Sequence, residues 1–301
     1  MPDLKALKHF VHLSGTLHFG RSSEALYVSP STLSRSIAKL EEEVGVGLFE
    51  RDNRSVTLTA PGELFLVFAT ETLQAWQDLR ATLAAEPGEL TGRVKIYCSV
   101  TASYSFMSTI LTRFRELHPR CDVSLTTGDA SFAIDKVLDS EVDVAIAPRP
   151  DILSGQLTFQ SVVETPLTFV APAFVCPVSD MVKHSVYDWS KIPLILPEFG
   201  LSRKRVDVWF KKQGIRPNIQ AEVVGHEAIV SMVALGMGVG VVPGLVIESS
   251  PIKDKLLKLE GSPVLQNYDV GIVTLEKKLN EPVVETFWQI VCDLVASGEL
   301  K

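Results

Sequence analysis

Cysteine is scarce in this chain of 301 residues, and long uncharged apolar runs are missing. The four cysteines, Cys98, Cys121, Cys176 and Cys292, are far apart and form no CxxC pair. This usage is typical of buried thiols in a reducing compartment, with a redox switch as the other interpretation. No apolar run reaches the length of a membrane span, and MPDLKALKHF lacks a signal-peptide pattern. We therefore expect a cytoplasmic protein without a membrane partner.

Two enzyme motifs are present only in part. HEAIV, residues 226–230, begins like the zinc-protease HExxH, but Val230 stands where the second histidine is required. MGVGVVPG, residues 237–244, is rich in glycine but leads from a helix into a strand, the reverse of a dinucleotide-binding fingerprint. The sequence therefore predicts no catalytic residue, no metal and no cofactor. A metabolic enzyme of α/β fold is the less favoured alternative.

Excess positive charge is also missing, since the net charge is −7. This argues against a protein that coats nucleic acid indiscriminately. The first sixty residues hold seven basic and seven acidic residues, so the rest of the chain carries the whole net charge. A DNA-binding segment is therefore expected only near the start of the chain.

A helix-turn-helix pattern lies in that neutral segment. A helix is predicted from Ser29-Pro30, which supplies a capping hydroxyl and a proline without a donor, to Gly45. Its buried stripe consists of the apolar residues at i, i+4 and i+7, Leu33, Ile37 and Leu40. A shorter helix, residues 21–26, comes before it, and a tight turn joins the two. The opposite face carries small hydroxyls and one arginine, which would let the backbone approach the base edges of a major groove.

A β-wing is predicted after this helix. In LFERDNRSVTLTAPG the pair Asp52-Asn53 is a turn signal between two short strands, with Arg51 and Arg54 near the tip. Arginines in such a wing would contact phosphates, which fix the register of the protein on DNA. An amphipathic surface helix that binds nothing remains the alternative. The predicted DNA-binding residues are Arg21, Pro30, Ser31, Thr32, Ser34, Arg35, Lys39, Arg51 and Arg54.

A long helix is predicted from about Pro61 to Ala85, followed by a short linker at Glu86-Pro87-Gly88. Its apolar residues are spaced like a heptad seam. The partner of the seam is either the core of its own domain or, more simply, a second copy of the chain. The predicted dimerisation residues are Phe65, Ala69, Thr72, Trp76, Leu79 and Leu83.

Strands and helices alternate through residues 92–301, as in RVKIYCSV, MSTILTRFREL, CDVSLTT and VDVAIA. This βαβ series predicts a mostly parallel sheet. A second α/β unit starts near Thr165, and the chain returns to the first through YDVGIVTL and a C-terminal helix. Small ligands bind such folds at the carboxyl ends of strands.

The chain resembles a known family of regulators over its whole length. The run FGRSSEALYVSPSTLSRSIAKLEEEVGVGLFERDNRSVTLT is similar to the N-terminal domain of LysR-type transcriptional regulators. The segments YCSVTASYS, LTTGDA and GHEAIVSMVALGMGVGVVPG resemble one branch, whose members activate acetohydroxy acid isomeroreductase synthesis for isoleucine and valine. Many family members have Gln followed by Pro or Ala where this chain has Pro30-Ser31. The missing amide implies a different base readout.

The resemblance implies a winged helix-turn-helix domain over residues 1–60, a dimerisation helix over 61–88 and a periplasmic-binding-protein-like effector domain over 92–301. Lobe I would comprise about 92–163 and 268–301, and lobe II about 164–267. It also implies double-stranded DNA with an interrupted palindromic operator, a homodimer or homotetramer, RNA polymerase, and a small co-inducer as partners. In this branch the co-inducer would be acetolactate or acetohydroxybutyrate. A regulator of another pathway, with a different small acid or a redox signal, is the alternative.

The resemblance also places several strand-to-helix junctions on opposite walls of the effector cleft. Backbone N–H groups, hydroxyls and an imidazole at such junctions suit a small carboxylate, although ordinary helix capping is the other explanation. Arg203 or Lys204 would assist charge recognition. The predicted effector-binding residues are Ser99, Thr101, Ala102, Ser103, Thr127, Phe199, Gly200 and His226.

Overall fold

The computed structural model describes residues 3–51, 55–84, 89–183 and 187–300. The chain forms two compact units, residues 1–89 and residues 90–301. Within the described ranges, no helix combines the length and apolar character that crossing a bilayer requires.

The first unit is a helical domain with a two-stranded wing. Ser29 caps α3 by accepting a hydrogen bond from the Thr32 N–H, and Gly45 ends this helix in the left-handed conformation. The wing pairs Phe49 with Leu58 in antiparallel register, as the sequence predicts. The elements are α1 (Leu4–Thr16), α2 (Phe19–Ala25), α3 (Pro30–Val44), β1 (Phe49–Arg51), β2 (Val56–Leu58) and α4 (Ala60–Ala84).

The core of this unit forms around Phe10 of α1, which is fully buried. Its ring lies 5.3 Å from that of Phe49 in the wing and 5.1 Å from that of Phe65 in α4. Aromatic pairs at these separations add to the stabilisation from apolar burial. Phe10 therefore joins the long helix and the wing to the helix-turn-helix.

The long helix corrects part of the predicted dimer seam. Phe65 and Ala69 pack into the core of their own unit, and Ala69 is fully buried. The heptad spacing identifies an apolar face but does not show whether the core of the same unit or a second copy of the chain covers it. Over the first turns of α4, helix α1 of the same unit covers this face. Farther along, Trp76, Leu79 and Leu83 remain exposed, by 42%, 48% and 75%.

The second unit contains two five-stranded sheets with helices packed on them. Its strands are β3 (Gly92–Cys98), β4 (Cys121–Thr127), β5 (Val144–Pro148), β6 (Leu157–Thr165), β7 (Leu167–Pro172), β8 (Pro193–Pro197), β9 (Asn218–Val223), β10 (Val239–Pro243), β11 (Leu256–Lys258) and β12 (Tyr268–Leu275). Its α-helices are α5 (Val100–Ser105), α6 (Met107–Leu117), α7 (Ala133–Leu138), α8 (Pro177–Met181), α9 (Gly200–Gln213), α10 (His226–Ala234), α11 (Gly244–Glu248) and α12 (Pro282–Ser297). Short 3₁₀ helices cover Ala130–Phe132, Lys253–Lys255 and Glu276–Asn280.

The two sheets define the lobes. Lobe I has the strand order β4-β3-β5-β12-β6 and lobe II the order β11-β7-β10-β8-β9. Both sheets are mixed rather than mostly parallel, since β12 runs antiparallel to β5 and β6, and β7 runs antiparallel to β10 and β11. The strand β6 was not predicted from the sequence. Its exposed Ser161 and half-buried Gln160 interrupt the apolar pattern.

The chain passes between the lobes twice, from β6 to β7 and back into β12. At the first crossing the buried Thr165 hydroxyl oxygen accepts a hydrogen bond from the Leu245 N–H at 3.0 Å. The returning strand β12 lies between β5 and β6. Both crossings therefore tie lobe II to the sheet of lobe I.

Candidate DNA interface and effector cleft

The exposed face of α3 carries most of the predicted DNA-binding residues. Leu33, Ile37 and Leu40 are buried on the other side, as the periodicity predicts. Ser34 is half-buried at the border of the face. The predicted DNA-binding residues that are exposed on this helix are Pro30, Ser31, Thr32, Arg35 and Lys39.

Hydrogen bonds within α3 order the start of this face. The Ser29 hydroxyl lies 3.0 Å from that of Ser31 and 2.8 Å from that of Thr32. The Arg35 Nε donates to the Ser31 carbonyl oxygen at 3.3 Å. This contact engages only one nitrogen of a group with five N–H donors, so Arg35 keeps further donors for a partner.

The wing arginine has an internal partner that the sequence did not reveal. Arg51 forms an ion pair with Glu41 of α3 at 2.6 Å, and its guanidinium carbon lies 5.2 Å from the centre of the Phe19 ring. The other Glu41 oxygen accepts N–H bonds from Leu48 and Phe49. Glu41 therefore holds the wing against α3, and only about a third of the Arg51 side chain remains exposed, 32%.

Two predicted arginines remain. Arg21 is exposed near the start of α2, and its backbone N–H donates to the His18 ring nitrogen that caps the helix. Arg54 lies outside the described residues.

A buried histidine, His9, is expected to make the stability of this unit depend on pH. The His9 Nδ1 lies 2.8 Å from the Ser36 hydroxyl oxygen. Burial lowers the pKa of His9 below its usual value of 6.5, Lys5 lowers it further, and Asp3 opposes them. The pKa of His9 is thus lower in the folded state than in the unfolded state. The contribution of neutral His9 to stability is therefore fully present above the unfolded-state pKa, and it is lost as pH falls through the folded-state pKa.

We therefore expect the free energy of unfolding of the first unit to decrease as pH falls below about 6.5. The decrease should be smaller in a His9→Gln variant, which keeps a polar group beside Ser36. Urea titrations at several pH values measure this directly. An identical pH slope in wild type and variant would assign the effect to other groups.

The cleft between the lobes encloses a central cavity of about 30 Å³. Three of the predicted effector residues, Ser99, Thr101 and Ala102, line it from lobe I, and His226 lines it from lobe II. Among the described residues of its lining there is no Lys or Arg. A cavity of this size has room for about one or two water molecules, so a metabolite does not fit in it unless its lining rearranges.

The imidazole of His226 is held in place at the start of α10. Its Nε2 lies 2.8 Å from the Ser202 hydroxyl oxygen. Burial lowers the pKa of His226, while Asp129 and Glu227 act in the opposite direction. The ring is therefore neutral near pH 7 and offers one donor and one acceptor.

Tyr268 at the start of β12 also lines the central cavity, and it was not among the predicted effector residues. Its ring centre lies 6.1 Å from that of His226, and burial raises its pKa to about 12. The Arg205 guanidinium carbon lies 5.5 Å from the centre of the Tyr268 ring. An aromatic residue at the start of a strand is an ordinary core pattern, so no local signal pointed to its place in the cleft.

Thr101 of lobe I forms hydrogen bonds with Glu227 of lobe II. Its N–H and its hydroxyl both donate to the Glu227 Oε1, at 2.9 Å and 2.6 Å. Thr101 is buried and Glu227 is half-buried in the first turn of α10. In the sequence, Glu227 stands out only as part of the incomplete HExxH motif.

Four of the predicted cleft residues lie outside the lining of the central cavity. Ser103 turns its hydroxyl to the Val100 carbonyl oxygen at 2.6 Å. Thr127 is exposed at the end of the edge strand β4. The Phe199 ring packs 5.2 Å from that of Phe132 in the other lobe, and Gly200 faces Ser131 in a neighbouring cavity.

Two larger cavities flank the central one. One of about 390 Å³ shares Ala130 and Pro148 with it, and the other, of about 260 Å³, shares Thr101 and Val246. Lys204 lines the larger of the two, where its Nζ lies 2.9 Å from Asp151. The adjacent cation, Arg203, is bound by Asp207 and Glu222 on its own lobe instead.

Burial makes three of the four cysteines poor candidates for redox sensing. Burial raises the pKa of the Cys98 thiol to about 11, and it also raises the pKa values of Cys121 and Cys292. A raised pKa keeps the thiol protonated and poorly reactive. The Cys176 sulfur accepts the Ser179 N–H as a helix cap.

Two family models match this chain. The model for bacterial regulatory helix-turn-helix proteins of the lysR family matches residues 4–63. The model for the LysR substrate binding domain matches residues 87–295. The chain belongs to the LysR family. This LysR-type protein is thus a transcriptional regulator rather than an enzyme.

Several relatives, similar over nearly their whole length, indicate which branch of the family this chain resembles. The HTH-type transcriptional activator IlvY of Salmonella typhimurium is 46% identical over 292 residues, covering 96% of this chain and 99% of that protein. The HTH-type transcriptional regulator IlvY of Escherichia coli is also 46% identical, with 96% and 98% covered. IlvY of Haemophilus influenzae is 39% identical, with 95% and 98% covered. The LysR-type chain is therefore closely related to IlvY activators.

Solved structures agree with the fold. A full-length CbnR structure, complexed with its target DNA, matches with a TM-score of 0.72 at 20% identity, covering 97% of this chain and 99% of that one. A second CbnR structure matches with a TM-score of 0.69 at 21% identity, with 97% and 98% covered. The expected architecture, a helix-turn-helix domain followed by a two-lobed α/β domain, is confirmed.

Proposed function

We propose that this LysR-type regulator activates isoleucine and valine biosynthesis in response to acetohydroxy acids, acetolactate and acetohydroxybutyrate. The observation that supports this most directly is the similarity to IlvY activators across 96% of the chain. The regulator would bind an interrupted palindrome as a dimer or tetramer and contact RNA polymerase. The domain boundaries at residues 60, 88 and 92 and the division into lobes are part of the proposal.

The cleft chemistry fits a small hydroxy-oxo acid. Ser99 and Thr101 offer donors on the lobe I side, while His226 and Tyr268 offer polar atoms beside the apolar Ala102. Without a cation in the central lining, the carboxylate would be held by N–H and O–H donors, which form strong hydrogen bonds to ionised groups. We expect affinities in the micromolar to millimolar range, because few ligand atoms limit the attainable binding free energy.

A redox signal is the alternative within the same family, and the raised pKa values of Cys98, Cys121 and Cys292 count against it. A regulator that senses a different small acid has no such observation in its favour or against it. Calorimetry with acetolactate and with an aromatic acid separates these possibilities. Binding of the aromatic acid alone would overturn the proposed effector.

Replacing His226 by alanine is expected to weaken acetolactate binding about fivefold, because the loss of a cleft hydrogen-bond partner costs about 1 kcal/mol of binding free energy. DNA binding without effector should be unchanged. Ser103→Ala is the matched control, since that hydroxyl bonds to the Val100 carbonyl oxygen. Titration calorimetry checks both variants. Equal affinity in wild type and His226→Ala would remove His226 from the site.

The dimer is proposed to form through the exposed apolar face of α4. Leu64 and Phe68 are exposed by 77% and 51%, and together with Thr72, Trp76, Leu79 and Leu83 they continue a spacing of three and four residues. This seam replaces the predicted one at its first two positions. A helix face with this pattern is typical of coiled-coil contacts.

A Leu79→Glu substitution should therefore shift the protein from dimer to monomer by at least tenfold in the dissociation constant, since a buried unpaired charge costs several kcal/mol. Gln77→Glu adds the same charge on the opposite side of α4 and should leave the dimer intact. Sedimentation equilibrium distinguishes the two. A dimer that tolerates Leu79→Glu but not Gln77→Glu would place the contact on the other face.

A further inference from the structure

A carboxylate of the chain itself already occupies the cleft donors proposed for the effector. The Glu227 Oε1 accepts both the N–H and the hydroxyl of Thr101, 126 residues away and in the opposite lobe. Both distances are in the range of charge-assisted hydrogen bonds, which are about twice as strong as neutral ones. We name these two bonds the Thr101–Glu227 latch.

The latch lies at the edge of the central cavity, which is too small for a metabolite. Thr101 lines both the central cavity of about 30 Å³ and the flanking cavity of about 260 Å³, and Glu227 lines the flanking one. Glu227 therefore contacts Thr101 from the flanking cavity rather than from the central one. A ligand carboxylate in the central space would meet donors that are already occupied, and a second negative charge beside them.

We propose that Glu227 is a built-in competitor of the effector, whose carboxylate holds the lobes together until a small carboxylate ligand takes over the Thr101 donors. This inference rests on the proposed function, in which such a ligand binds in the cleft. The flanking cavity, with the polar Ser231 and Tyr104 in its lining, provides room for the displaced Glu227 side chain.

The competition has a quantitative consequence. When the binding-competent state is only a fraction of the population, the apparent dissociation constant rises by the inverse of that fraction. Weakening the latch should therefore increase the affinity for the effector, even though Glu227 lies beside the effector-binding cleft. A residue that merely contacted the effector would have the opposite effect when replaced.

The test uses the full chain with Glu227→Gln, which keeps the shape but removes the charge, and Glu227→Ala, which removes the latch. Glu260→Gln is the control, since it removes one exposed negative charge from the same lobe. The first readout is hydrogen exchange of the Thr101 amide without ligand, and the second is acetolactate affinity by calorimetry.

We expect Thr101 exchange to rise at least tenfold in Glu227→Ala and less in Glu227→Gln, and acetolactate to bind at least threefold more tightly to both. Unchanged Thr101 exchange would overturn the latch, whatever the ligand does. Weaker acetolactate binding in both variants would overturn the competition and make Glu227 a ligand contact. Faster exchange with no acetolactate binding to any of the proteins would support the latch and overturn acetolactate as the effector.

Discussion

Replacing Arg35 by alanine is expected to remove about 1–3 kcal/mol of specific DNA-binding free energy, the contribution of a good side-chain contact to a base edge. Arg35 is exposed on α3, and its hydrogen bond to the Ser31 carbonyl oxygen engages only one of its five N–H donors. The loss should be largest for the operator and small for unrelated DNA. Binding titrations with both DNA sequences measure the difference.

Lys39→Ala is the matched control on the same helix face. Its side chain is 74% exposed and its ammonium lies 3.8 Å from Glu43, so we expect a phosphate contact rather than base readout. This variant should weaken binding to all sequences alike and reduce the slope of log affinity against log salt by about one. If Arg35→Ala changed only the salt slope while Lys39→Ala changed sequence preference, the two roles would have to be exchanged.

Replacing Phe10 by alanine should destabilise the first unit by about 3–5 kcal/mol, as for other fully buried aromatic side chains. The ring contacts both Phe49 of the wing and Phe65 of α4, so its loss leaves a cavity between three parts of the domain. Specific DNA binding should be lost together with the fold. Hydrogen exchange of α1 amides in urea reports the stability of this unit.

Val46→Ala provides the comparison for Phe10, because Val46 is an apolar residue that is 44% exposed. An exposed substitution of this kind usually changes stability by less than about 0.5 kcal/mol. A similar small change for Phe10→Ala would contradict the assignment of Phe10 to the centre of the core.

The helix-turn-helix was predictable because its signals are local. Ser29-Pro30 and Gly45 set the ends of α3, and the spacing of Leu33, Ile37 and Leu40 set its buried side. The partner of Arg51 was not predictable, because Glu41 meets it only after the wing has folded back. The dimer seam failed at Phe65 and Ala69 for a similar reason, since periodicity identifies an apolar face but not what covers it.

The effector cleft was predictable in part. Ser99, Thr101, Ala102 and His226 share one cavity because strand ends of both lobes meet there. Which hydroxyls face that cavity depends on local hydrogen bonds, and Ser103 turns away to the Val100 carbonyl oxygen. Tyr268 and Glu227 reach the cleft from distant parts of the chain, which no local pattern reveals. The effector-binding and DNA-binding roles themselves stay predictions.

Footprinting of the wild-type protein on the promoter of an acetohydroxy acid isomeroreductase gene, with and without acetolactate, tests the central claim most directly. The account predicts protection of an interrupted palindrome whose pattern changes when acetolactate is added, because the ligand favours one arrangement of the dimer. Protection of a single unrepeated half-site, or a pattern that ignores acetolactate but changes with an aromatic acid, would contradict it.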